Sequence, residues 1–271
     1  MTDLAFRLDD VGACSKRYEV YSDCSWGVGP VRVSANWLWF KYVHPWKKWG
    51  PYRELTAQEW GGVVRLLEGH HAKLTVAVTA GWAEREDRVI PFPVRFPAQA
   101  AALKAGVERG VIEIANHGLT HCVLQDNAFK PRWFTGNRTA HREFWDWVPL
   151  EEQERHLRES QDILQGFFRQ DVVTFVPPGH VFSEATLAIA ERYGLRYVSC
   201  RAPQRAAGRM LVLGEEGVAA FHDRDLVLHG LDWLADRLRQ QAGKRSAFVR
   251  ELGEALQAQI RQERTASPCT R

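Results

Sequence analysis

Cysteine is scarce in this sequence and shows no pairing pattern. Cys14, Cys24, Cys122, Cys200 and Cys269 are odd in number and form no CxxC spacing, which argues against both a disulfide framework and a zinc ribbon. Reduced thiols in the cytosol are the expectation. Long hydrophobic runs are missing too. No apolar stretch nears the roughly 18 residues that a bilayer span requires, and Met1–Arg7 lacks the apolar segment of a secretory signal. Nor is one sign of charge in excess: 36 basic against 33 acidic residues leave +3, too little to indicate a nucleic-acid surface, which needs clustered Lys and Arg. With Gly at 21, Pro at 12 and 45% hydrophobic residues, collagen and intrinsic disorder are excluded.

What is present is a chain of 271 residues with 11 tryptophans, long enough for one large α/β domain. Leu4–Leu8 reads as a strand running into Asp9 and Asp10. Thr56-Ala57-Gln58-Glu59 is a capping box, whose hydroxyl and carboxylate satisfy the first backbone N–H groups of a helix. Lys73–Val78 and Val111–Ala115 read as strands around a helix from Pro97 to Arg109, which stops at Gly110. A helix from Pro149 to Phe168, a strand Val172–Val176 and a helix Ser183–Tyr193 follow. Leu195–Ser199 and Leu226–Leu228 read as further strands, and the chain after Leu231 as helical. Strands alternating with helices of this length imply βαβ units and a parallel sheet. The expected fold is α/β, a single-domain (β/α) barrel, incomplete or distorted, spanning 1–264 with a flexible tail at 265–271.

Chemistry in such folds sits where strands end. Four strand ends carry polar residues: Asp9-Asp10, His117 with His121, Pro177-Pro178-Gly179-His180, and His229. In His117-Gly118-Leu119-Thr120-His121 the four-residue spacing puts two imidazoles on one face of a helical turn, where one carboxylate from Asp9 or Asp10 would complete a three-ligand metal site. Side chains alternate along an extended strand, so one of the two aspartates can bind metal while the other accepts a proton. The aromatic groups Trp26, Trp37, Trp39, Phe40, Trp46, Trp49, Tyr52 and Trp133, Phe134, Phe144, Trp145, Trp147 fit small cores of long loops, with stacking on sugar rings as the alternative. His44, His70, His71, His141 and His156 read as surface or packing residues. His180 and His222 lie closer to the expected site.

The order of these motifs resembles the polysaccharide deacetylase family, the NodB-homology domain of carbohydrate esterase family 4. The resemblance is carried by Phe6–Gly12, Glu113–His121, Phe175–Gly179 and Leu226–His229. It implies a seven-stranded barrel with aromatic-rich insertions and one divalent ion, usually Zn2+, on Asp10, His117 and His121. By the same resemblance Asp9 is the general base and His229 the general acid. Pro178, Gly179 and His180 line the substrate pocket, and Leu228 helps hold the acyl methyl group. An arginine that orients the base is missing from the third motif, where Val176 stands; Arg7 is the candidate to replace it and to reach the substrate side. A further motif with Asp and Trp has only His222-Asp223 or Asp232-Trp233 as candidates.

The activity so implied is hydrolysis of an N-acetyl group on an amino sugar of a surface polysaccharide, of O-antigen or capsule type, or of its precursor. Deformylation of a lipid-linked amino sugar is a close relative. A glycan-binding protein with a degenerate site is the competing class, and Val176 is its support.

Overall fold

A computed structural model describes residues 3–15, 25–34, 53–85, 88–124, 142–241 and 243–266. Most of both expected aromatic insertions, including Trp37–Tyr52 and Trp133–Phe134, and the tail at 267–271 lie outside the described residues.

Seven strands form a parallel array: β12 (Val218–His222), β1 (Asp3–Val11), β4 (Leu74–Val78), β7 (Ile112–Asn116), β8 (Thr174–Phe175), β9 (Tyr197–Val198) and β11 (Met210–Val212), in that spatial order. β10 (Arg205–Ala207) adds an antiparallel edge to β11, and β13 (Arg245–Ala247) pairs with the start of β1. The result is a curled, nine-stranded sheet. Among the described residues no pairing joins β12 to β10, so the barrel is incomplete. Two hairpins stand apart: β2 (Ser25–Val28) with β3 (Val31–Ser34), and β5 (Gly81–Arg85) with β6 (Arg88–Pro91).

The central strands are buried on both faces, as in a parallel sheet covered on both sides. All five residues of β4 and all five of β7 are buried. Helices α1 (Ala57–Gly69), α3 (Pro97–Glu108), α4 (Leu150–Phe168), α5 (Glu184–Arg192) and α6 (Asp223–Gln240) pack outside, with the short α2 (Phe92–Arg95) leading into α3. The Thr56–Glu59 capping box is present and starts α1, so that Trp60, Val63, Val64 and Leu67 face the sheet. Val63, Leu103, Leu164 and Leu187 from four helices share one core with Leu8, Val76, Ile114 and Phe175. A C-terminal helix, α7 (Val249–Ala266), covers Ala5, Val173 and Tyr197. No helix among the described residues is long and apolar enough to cross a membrane.

One strand was misplaced by the sequence reading. Leu226–Leu228 belongs to α6, and the strand that follows the β10–β11 hairpin is β12, ending at His222. Leu226 is buried on the first part of α6, and beyond a break at Gly230 (φ 73°) Leu234 and Leu238 are buried on the second. An apolar run as short as Leu226–Leu228 does not by its periodicity distinguish a strand from a helical turn.

Candidate metal and hydrolytic site

β1 is not regular at its end. Its register against β4 shifts between Leu8 and Val11, and Asp10 takes a left-handed backbone with φ 71°. Between these points β1 has two residues, Asp9 and Asp10, where β4 has the single Ala77, the signature of a β-bulge. The extra residue breaks the expected alternation, so both Asp9 and Asp10 line one cavity of about 470 Å³ beyond the strand ends.

The His117–His121 segment is a loop after β7, not a helical turn, with φ 77° at Gly118 and 58° at His121. It still brings both imidazoles to Asp10. His117 Nε2 lies 3.2 Å and His121 Nε2 3.5 Å from Asp10 Oδ1, and one donor atom from each of the three residues lies within 4.8 Å of the others. The other ring nitrogens are occupied: His117 Nδ1 meets the Val176 carbonyl at 2.5 Å, and His121 Nδ1 meets Ser15 Oγ at 2.9 Å. A carbonyl can only accept, so a neutral His117 carries its proton on Nδ1 and turns a lone pair on Nε2 toward a carboxylate oxygen. Two such acceptors facing each other need a shared proton or a cation between them. This donor set, with one carboxylate, two imidazoles and outer hydrogen bonds that fix both rings, fits a divalent ion. Burial works to raise the Asp10 carboxyl, but His222, and His117 and His121 when they carry a proton toward it, outweigh burial and hold Asp10 well below the usual carboxylate range.

A buried acid builds the loop. Glu143 accepts backbone N–H bonds from Leu119 and Thr120 at 3.2 Å and from His121 at 3.0 Å, and it pairs with His156 Nδ1. Burial disfavours charge on both partners. Their mutual attraction prevails, holding Glu143 below its ordinary value and pushing His156 up to about 9. Gly118 makes the approach possible, because a Cβ there would lie 1.8 Å from Glu143 Oε1. His156, which the sequence reading places among surface or packing residues, is half of a buried ion pair. Nothing in its place on a polar helix distinguished it in the sequence; the pairing needs the fold.

Arg7 approaches Asp9 from two residues upstream on the same face of β1. Its Nε and one terminal nitrogen each donate to an Asp9 oxygen at 2.8 Å, and the other terminal nitrogen donates to Ser199 Oγ at 2.7 Å. Arg7 is 2% exposed, so it sits behind Asp9 and does not reach the substrate side. Val176, where an arginine was expected, contributes its carbonyl to His117 instead.

The remaining expected residues divide. Gly179 and His180 line the cavity together with Pro177, whereas Pro178 is buried. Burial, helped by Arg7 and Arg201, pushes His180 down to about 4. His229 and Leu228 do not line the cavity; both lie on α6, where the His229 ring stacks on Trp233. In their stead His222, at the end of β12 and in register with Asp9, lines it. Its Nε2 is 3.9 Å from Asp10 Oδ2, and its backbone N–H donates to Asp225. The short apolar run Val218–Phe221, bounded by Gly217 and ending in His222-Asp223, is the sequence signal for it.

Residues 54–198, just over half of the chain, match the family model described as polysaccharide deacetylase. The chain belongs to the polysaccharide deacetylase family. The matched segment contains the His117–His121 loop and the Pro177–Gly179 turn. No curated protein matches the sequence. Among solved structures, one from Mycobacterium smegmatis described as a polysaccharide deacetylase candidate shares 11% identity at a TM-score of 0.52, over 95% of this chain and 91% of that one; this is a likeness of fold. A CE4 family pseudoenzyme from Bacillus anthracis shares 16% identity at a TM-score of 0.46 over 73% of this chain, which spans only 61% of the length of that protein. A family 4 acetyl xylan esterase from Clostridium thermocellum, crystallised with a cobalt ion, shares 14% at 0.46, over 92% and 89% of the two chains.

Proposed function

We propose that this protein is a metal-dependent amidohydrolase that removes an N-acetyl group from an amino sugar of a surface polysaccharide or of its precursor. One observation carries the reading: a carboxylate–imidazole–imidazole group lines the same cavity as a second carboxylate whose two oxygens are both held by arginine. Asp10, His117 and His121 hold the ion, with Zn2+ the first candidate. Such an ion polarises an acyl oxygen and acidifies water.

The chain's own residues supply the rest. Asp9 takes the proton from the attacking water, and Arg7 with Ser199 fixes which way its oxygens point. His222 gives a proton to the departing nitrogen, a task suited to imidazole near neutral pH. The C–N bond breaks, and acetate and a free amine leave. His222 replaces His229 in this role because it lies at the cavity and His229 does not. Deformylation uses the same residues and differs only in the acyl group. The glycan-binding reading rested on the missing arginine at Val176; Arg7 provides an equivalent grip from β1, which favours turnover. A cytosolic setting, and hence a nucleotide- or lipid-linked precursor as substrate, accords with the buried free thiols Cys14, Cys122 and Cys200.

The test is acetate release from N-acetylated amino sugars by zinc-loaded protein, compared with Asp9→Asn. Release that depends on zinc and on Asp9 is the expected result. Stoichiometric glycan binding with no release under any divalent metal would return the protein to the binding class.

A further inference from the structure

The cavity carries more positive charge than its carboxylates require. Asp9 is satisfied by the buried Arg7, and Asp10 by two imidazoles and by Arg224, which donates to Oδ2 at 3.4 Å. Arg142 and Arg201 also line it. Arg201 touches Glu215 at 3.0 Å, with side chains 69% and 60% exposed, and so exposed a pair is weak and readily exchanged for another anion. Arg142 has no carboxylate partner among the described residues. Its guanidinium lies over the Trp145 ring at 5.9 Å and against Gly179, where a Cβ would come within 2.3 Å of its Nε. That glycine, with φ 60°, opens the space that the arginine fills. Among the described residues, Arg142 is thus held at the cavity by an aromatic face and a backbone cradle rather than by an acid.

A neutral sugar offers hydroxyl groups, which uncharged donors bind well. Guanidinium is the side chain matched to carboxylate and phosphate, through paired N–H donors in a plane. Arg142 and Arg201 concentrate positive potential at a site whose Asp10, His117 and His121 would hold a divalent ion, and an anionic ligand is the kind that such a potential favours. From this arrangement we infer that the substrate bears a carboxylate or phosphate close to its acylated nitrogen, bound by Arg142 and Arg201. The inference rests on the deacylase reading for the substrate's acyl group but not for its charge.

Binding of four probes to zinc-free and zinc-loaded protein tests it by calorimetry: N-acetylglucosamine 1-phosphate, N-acetylglucosaminuronic acid, the neutral methyl glycoside of N-acetylglucosamine, and a neutral N-acetylglucosamine oligomer. Acetate release is followed in parallel. At least one anionic probe is expected to bind about tenfold or more tightly than the neutral ones, the scale of one charge-assisted hydrogen bond. The preference should shrink with salt and be lost in Arg142→Ala/Arg201→Ala. The phosphate and the uronic acid arms tell which anion is read. Arg201 is exposed, so Arg201→Ala alone must reduce the preference severalfold even if Arg142→Ala fails to fold. Equal affinity for charged and neutral probes, or a preference that both variants keep, overturns the inference while leaving deacylation to stand on acetate release. Arginine-dependent anion binding without acetate release from any probe supports the inference and sinks the deacylase reading instead.

Discussion

Arg7 donates to both carboxylate oxygens of Asp9 from two residues upstream in the same strand, and both side chains are almost wholly buried. The pair is a rigid unit because alternation along β1 puts residues two apart on one face. Lysine cannot reproduce two parallel N–H bonds. Arg7→Lys is therefore expected to lower kcat by about 10–100-fold through misplacement of the base, with KM little changed. Arg7→Ala strands a buried carboxylate and should cost about 3–5 kcal/mol of stability. Steady-state kinetics and urea unfolding check the two variants; an unaltered kcat in Arg7→Lys would remove Arg7 from the mechanism.

The three donor atoms around Asp10 predict one divalent ion per chain. Elemental analysis of protein equilibrated with zinc should find it, and Asp10→Ala, His117→Ala and His121→Ala should each lose most of it. Chelation should abolish acetate release, and returning zinc should restore it. Retention of full metal content by the Asp10 and His117 variants together would mean that the ion sits elsewhere.

His222 and His229 offer a direct contrast. His222→Asn is expected to lower kcat by about 10²–10⁴-fold, the usual worth of general acid catalysis. His229→Asn should leave kcat unchanged, since its ring packs on Trp233 along α6. The opposite ranking would restore the assignment that motif order alone implies.

Glu143 holds the ligand loop by its backbone: three consecutive N–H groups, of Leu119, Thr120 and His121, end on it. Glu143→Gln should weaken zinc binding by about 10–100-fold, as outer-shell changes do. Gly118→Ala should do at least as much damage, because its Cβ would meet Glu143 Oε1. Competition with a zinc-binding dye measures both.

The Glu143–His156 pair also sets a pH dependence. His156 holds its proton in the folded protein up to about 9, against an ordinary value of 6.5. Its contribution to stability is then complete below pH 6.5 and is lost as pH rises through 9. Thermal melts of metal-free protein should show His156→Gln well below wild type at pH 6, with the gap closing toward pH 10. A gap that stays constant would mean that His156 is neutral in the fold.

Much of this site could be read from residue order. The spacing and strand ends brought His117 and His121 together with one of two aspartates, and the choice of Asp10 over Asp9 came from the family resemblance. The three donor atoms do lie together, and the Thr56–Glu59 box starts a helix where it should. The failures have physical causes. Leu226–His229 is apolar and short, which suits a strand or a buried helix turn equally, and the tertiary packing that buries Leu226 decides between them. The HxxxH loop departs from a helix because Glu143, more than twenty residues away, collects its N–H groups. His156 lay on the charged helix α4, and its partner is set by tertiary contact alone.

The bulge at the end of β1 makes the site depend on chain length as well as residue type. Two neighbouring acids share one cavity because β1 carries one residue more than β4 between Leu8 and Val11. Deleting Val11 beside the pair, so that both aspartates stay and the surplus is gone, would return the strand to strict alternation and turn one carboxylate out of the cavity. A relative could therefore keep both acids, and all the arginines and histidines around them, and still lose the chemistry through a one-residue deletion that no comparison of residue types at matched positions would flag.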